Sequence, residues 1–265
     1  RIANGALIDV IYDPDGSRIY IDGARHSLDE VAEVIGAKRD SSDKPYEFTV
    51  HIKASGDTRM GIIDDIKLEL RKCRALKVRY EAPERIIDRR LPPAPDQSED
   101  DQEAKFIAPE DWAVDVSRRN LITFRINSAD KVLMSTDRSI RVNEHYICDI
   151  DDFDVKRLKE MIANPERKKT LPETEVRDIT MPDGSVRQFE VSKAMVSYGI
   201  DRGTSYTAYT KGMEMIMTAY KELREDFSKE VFGKPLSELT DAETQTVYLA
   251  IPLIVSEATP KNVPQ

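Results

Sequence analysis

Apolar residues along this chain recur at two periods, and the switches between them mark its elements. Residues 6–12 (ALIDVIY) and 18–22 (RIYID) read as strands. Between them stands Asp13-Pro14-Asp15-Gly16-Ser17, whose Asp-Pro and Asp-Gly steps predict a hairpin turn. A helical spacing follows: Leu28, Val31, Val34 and Ile35 form an apolar stripe, with Ser27 as the cap and Glu30 placed for a capping box. A polar loop over 39–44 leads into residues 49–54 (TVHIKA), which alternate β-branched and polar positions and predict a strand with one buried face. In the turn Ser55-Gly56-Asp57-Thr58, Asp57 or Thr58 is expected to cap the helix behind it. From 60 to 74, Ile62, Ile63, Ile66, Leu70 and Cys73 share one face, the spacing of a helix laid on a sheet. Residues 76–80 return as a short strand. Strand, helix and strand joined by short loops give a βαβ crossover, which favours parallel pairing. The order β-β-α-β-α-β over residues 1–87 predicts a two-layer sandwich of sheet and helices.

The same order recurs downstream with insertions. Residues 120–127 (NLITFRIN) and 132–135 make a hairpin around Ser128-Ala129-Asp130-Lys131. Asp151 or Asp152 is expected to cap a helix whose face is Val155, Leu158, Met161 and Ile162, ending near Asn164-Pro165. An inserted hairpin turns at Asp183-Gly184, between EVRDITM and SVRQFEV. Residues 194–200 read as a strand, and Asp201-Arg202-Gly203-Thr204 as the turn before a long helix over 205–232. Met213, Ile216, Met217, Tyr220 and Leu223 line its apolar side. Thr240 caps a further helix toward Ala250, and 253–256 supplies the last strand. Set beside Ser55-Gly56-Asp57-Thr58, the turn Asp201-Arg202-Gly203-Thr204 suggests an internal duplication. Between the copies, residues 89–110 are rich in proline and acid with almost nothing to bury, the composition of an extended linker. The expected fold class is α+β: two related two-layer α/β sandwich domains at 1–87 and 112–265, flanking a linker at 88–111. The second domain carries the inserted hairpin and the long helix.

Composition narrows the function. At 265 residues the chain exceeds the usual single-domain size. A formal charge of −9 with 34% charged residues disfavours nucleic-acid binding through a broad basic face. No apolar run approaches the roughly 20 residues that span a bilayer. The longest, 248–255 (YLAIPLIV), is interrupted by Pro252. The chain begins at Arg1, and an anchor or leader is expected upstream of it.

Two stretches carry a resemblance. The run KASGDTRMGIIDDIKLELRKCRALKVRY, residues 53–80, resembles the end of the periplasmic domain of the ExbD/TolR family: a strand, a polar Asp-Thr turn, an Ile- and Leu-rich helix, then a short basic-apolar strand. Residues 201–240, from Asp-Arg-Gly-Thr-Ser-Tyr through the Phe-Gly-Lys-Pro stop, closely resemble the same region of the long ExbD-like proteins of Bacteroidetes-type bacteria. The run Arg89-Arg90-Leu91-Pro92-Pro93, which longer members carry after their membrane anchor, here follows a soluble domain instead. The resemblance implies a non-enzymatic module of a proton-motive-force-driven complex of the ExbB-ExbD-TonB or TolQ-TolR type. It implies an inner-membrane anchor outside this chain and a periplasmic position for the residues here. The implied partners are an ExbB/TolQ-like membrane subunit and a TonB/TolA-like protein, with a homodimer or an intramolecular pseudo-dimer of the two copies.

Candidate chemistry changes this picture little. Cys73 and Cys148 fit no zinc or redox spacing and read as small buried apolar residues, with a disulfide open in an oxidising compartment. Asp149, Asp151, Asp152 and Asp154 have oxygen-rich spacing suited to calcium or magnesium, but they lack the glycine and distant glutamate of an EF-hand, and acids at a helix start are expected anyway. His26, His51 and His145 lie in different elements. No nucleophile elbow or phosphate-cradling glycine motif stands in the chain. No catalytic residue, metal or cofactor is expected. The competing reading is a soluble hydrolase or metal-binding enzyme on an α/β sandwich, which tight divalent-metal binding in calorimetry would favour. The final strands of the two copies are expected either centrally, with neighbours on both sides, or at sheet edges, where backbone groups can accept another chain. The edge reading makes Val78, Tyr80, Ile254 and Ser256 the candidate interface residues.

Overall fold

The structure is a computed structural model and describes residues 2–13, 15–94, 118–136 and 146–257. Pro14, residues 95–111 of the expected linker, Trp112 and His145 lie outside the described residues.

Alternation makes β1 (Gly5–Ile11) a half-buried strand: Ala6, Ile8 and Val10 are buried, while Leu7 and Asp9 between them are not. β1 pairs antiparallel with β2 (Arg18–Ile21) and parallel with β4 (Thr49–Ala54). β2 turns back at once into β3 (Ala24–His26), through Asp22 and Gly23 with φ of 49° and 90°. Beyond β4 lie β5 (Lys77–Ala82), parallel to it, and β6 (Arg85–Arg90), antiparallel to β5. The sheet order is β3-β2-β1-β4-β5-β6. α1 (Val31–Asp40) leads from β3 toward β4, and α2 (Met60–Lys72) connects β4 to β5. Val31, Ile35, Met60, Ile63, Ile66 and Leu70 on these helices are buried, as are Val50, Ile52, Val78 and Tyr80 on the strands. Each such side chain contributes roughly 1.5–3 kcal/mol when fully buried, so this layer of helix on sheet is the main stabilising contact.

The second sheet uses β7 (Leu121–Ile126), β8 (Lys131–Ser135), β9 (Tyr146–Asp149), β12 (Met195–Ile200) and β13 (Val255–Glu257), ordered β9-β8-β7-β12-β13. β7 and β8 form the hairpin, and β12 lies parallel to both β7 and β13. That is the order β3-β2-β1-β4-β5 over again, with the same parallel and antiparallel pairings. α3 (Val155–Ala163) stands where α1 does, and α4 (Tyr206–Phe232) where α2 does. The insertions are a separate hairpin, β10 (Thr174–Thr180) and β11 (Val186–Ser192), and α5 (Asp241–Ala250). Phe124 meets Phe153 edge-on at 5.1 Å in this core. A Cβ on Gly212 would lie 2.5 Å from Ile126 Cδ1 and 2.7 Å from Tyr198 Oη, so this glycine is what lets α4 approach β7 and β12.

Both sheets are mixed and helix-covered, an α+β fold. The chain divides into two compact units: residues 2–94 with Asp201–Lys211, and residues 118–200 with 212–257. The second copy's turn and the first residues of α4 therefore belong to the first unit.

Several local expectations need correction. β3 and β9 are only three and four residues long, and no alternation announced them. Strand pairing runs into the stretch expected as linker: Arg85–Arg90 is β6, and Leu91 behind it is buried. Arginine-rich composition hid that strand. Ser27 donates its amide and hydroxyl to Glu30 at 2.8 and 2.9 Å, yet α1 begins only at Val31 after a turn. Asp154 caps α3, accepting from the Lys156 amide at 3.0 Å, in place of Asp151 or Asp152. The Thr240–Glu243 capping box of α5 is complete. On α4, Met213, Ile216 and Tyr220 are buried, whereas Met217 is 39% exposed.

Candidate functional site

The expected edge at residues 76–80 does not exist. β5 lies between β4 and β6, with Val78 and Tyr80 buried beneath the helices, so neither can accept a strand from another chain. β13 is different: it is the last strand of its sheet among the described residues. Ile254 just precedes it and is half-buried, its carbonyl accepting the Val196 amide at 2.9 Å; Ser256 is exposed.

The densest polar arrangement lies elsewhere in the first unit, at the start of α2. Neither Asp57 nor Thr58 caps that helix through its side chain. The Met60 amide donates instead to the Thr204 carbonyl at 2.9 Å, and the Gly61 amide to the Arg202 carbonyl at 2.8 Å. The favour is returned. The Tyr206 amide donates to the Thr58 carbonyl at 2.8 Å, and the Thr207 amide to the Gly56 carbonyl at 3.1 Å. Each of the two duplicated turns thus satisfies the orphan amides at the start of the other's helix. A bridge between Arg59 and Ser205 joins them, and Arg59 Nη1 donates to the Gly203 carbonyl at 3.0 Å.

Side chains reinforce the backbone. Arg202 grips Asp65 through two hydrogen bonds of 2.8 Å, and this carboxylate raises the guanidinium pKa further. Its guanidinium passes 3.2 Å from where a Cβ on Gly61 would stand, so any larger residue there would push the arginine aside by a few tenths of an ångström. Beneath, Lys67 Nζ lies 3.1 Å from Asp64 Oδ1, 4.9 Å from the Tyr209 ring centroid and 5.6 Å from that of Tyr80. The two rings meet edge-on at 5.2 Å. Tyr206 donates its hydroxyl between the Ile52 and Glu81 carbonyls, at 2.9 and 3.0 Å. Burial pushes its pKa up, so it stays a neutral donor. Six of the eleven buried polar or charged residues among those described gather here: Thr58, Asp64, Lys67, Thr204, Ser205 and Thr210. Sequence reading missed this cluster. The available signal was Asp64 and Lys67, three residues apart and flanking Met60 and Ile63 on the buried arc of α2.

The remaining candidates stay scattered. His51 Nδ1 lies 2.6 Å from Glu81, and His26 Nδ1 lies 3.6 Å from Glu30. Cys73 and Cys148 are both free, and burial raises the Cys73 thiol pKa. Asp149, Asp151, Asp152 and Asp154 are all exposed, and among the described residues no three His, Cys, Asp or Glu side chains form a group able to hold a metal ion. One groove of about 730 Å³ lies between residues 2–5 and the end of α1; another, of about 770 Å³, lies beside α3. Neither is lined by a histidine or a cysteine. No family model, curated protein or solved structure matches the chain. Among the described residues, no helix is long and apolar enough to cross a membrane. What the site can do chemically is hold two helix starts together through backbone groups and one ion pair.

Proposed function

We propose that this chain is a non-enzymatic coupling and binding module of a proton-motive-force-driven complex of the ExbD/TolR type. In this reading it lies on the periplasmic side of the inner membrane, tethered by an anchor outside the residues described. It works by contact with an ExbB/TolQ-like membrane subunit and a TonB/TolA-like protein. The observation that carries the reading is the repeated strand–turn–helix. The two segments that resemble the family, around Gly56–Thr58 and Asp201–Thr204, hold corresponding places in two sheets of one strand order. Each leads into a helix, and a strand parallel to the one before that helix follows in each copy. Affinity purification of the natural full-length protein from detergent-solubilised membranes tests the reading. A polytopic membrane subunit should co-purify in fixed ratio. Recovery of the chain alone under mild detergent, with divalent-metal-dependent hydrolytic activity, would reject it.

A further inference from the structure

We infer that Asp201–Lys211 is a detachable clasp on the start of α2, opening as one unit while the sheet of the first unit stays folded. Three observations lead there. First, the capping is reciprocal: the carbonyls of Gly56 and Thr58 satisfy Thr207 and Tyr206, and those of Arg202 and Thr204 satisfy Gly61 and Met60. Lifting the segment therefore uncaps both helices together, which makes the opening two-state rather than a gradual fraying.

Second, the surfaces that part are rich in polar groups. Thr58, Asp64 and Lys67 on one side and Thr204 and Ser205 on the other are buried. Water can take over the four backbone hydrogen bonds that join the two sides, which lowers the cost of parting them. Third, the ion pair that pins the clasp from outside reaches the surface. The Arg202–Asp65 pair is partly exposed, with side chains 42% and 30% accessible, and Arg59 adds one bond to the Gly203 carbonyl. Tyr206 and Tyr209, both buried, supply the main apolar hold. The Tyr206 hydroxyl also reaches the Ile52 and Glu81 carbonyls of β4 and β5, while the two strands stay paired to each other in their own register. The clasp is thus a bistable element that a partner binding either helix start would bias.

Amide hydrogen exchange on the full chain, read residue by residue, tests this. Met60, Gly61, Tyr206 and Thr207 should share one protection factor, lower than that of Val50 and Ile52 in β4. Arg202→Ala keeps the backbone carbonyl that caps Gly61 and removes only the side chain. It should nonetheless lower protection at all four amides together, by roughly two- to fivefold for one partly exposed ion pair, and leave Val50 and Ile52 unchanged. Asp65→Asn, which leaves Arg202 in place, should do the same and serves if the first variant folds poorly. Loss of protection at Gly61 alone, unrelated protection factors at the four amides, or equal loss at the four amides and in β4 would each overturn the inference.

Discussion

At Gly212 two residue-level effects oppose each other. Replacing glycine by alanine inside a helix normally stabilises it by about 0.8–1.0 kcal/mol. Here the added Cβ would meet Ile126 Cδ1 at 2.5 Å and the Tyr198 hydroxyl at 2.7 Å, closer than real Cβ contacts come. Overpacking of this kind costs roughly 1–3 kcal/mol, so the clash should win. Gly212→Ala is expected to lower the urea midpoint with an unchanged slope. A raised midpoint would mean that α4 can shift away from β7 and β12 at little cost. Alanine scanning of the neighbouring exposed face offers no such contest. At this scale the sequence was legible where one local interaction decides, as at Thr240, which caps α5 as its position before the helix suggests. It was not legible at Asp57 and Thr58, because the groups that cap α2 come from residues far along the chain.

Whole elements follow their periodicity. Strands β1, β4, β7 and β12 and helices α2 to α5 lie where alternation or helical spacing put them, within a residue or two at most ends. What periodicity cannot give is the neighbour on either side of a strand. The stretch around Val78 ends in Ala82, only three residues before β6 begins, and its arginines disguise a pairing partner. β5 is therefore interior, and proline there must remove a ladder bond on one side or the other. Val78→Pro is expected to destabilise the first unit by about 3 kcal/mol or more, taking the penalty known for helices as the guide. Ser256→Pro, in a three-residue strand at the end of its sheet, should cost far less. Circular dichroism with urea titration of the two variants compares them directly; equal losses would contradict the assignment of β5 as interior and β13 as terminal.

The whole molecule repeats one strand order in two sheets, and the pair of turns Ser55–Thr58 and Asp201–Thr204 marks that repetition in the sequence. The assignment of Asp201–Lys211 to the first unit was not visible, since hydrogen bonds between backbone groups leave no mark in side-chain pattern. The functional account rests on contact rather than catalysis, and Ser256 is the exposed position on a terminal strand where contact is most directly read. The most direct measurement places a photo-crosslinking amino acid at Ser256 of the natural protein in its own membrane, with and without a protonophore. The account predicts an adduct with another subunit of a membrane complex, its yield changing when the proton gradient collapses. No protein adduct at Ser256, or one whose yield ignores the gradient, would contradict it.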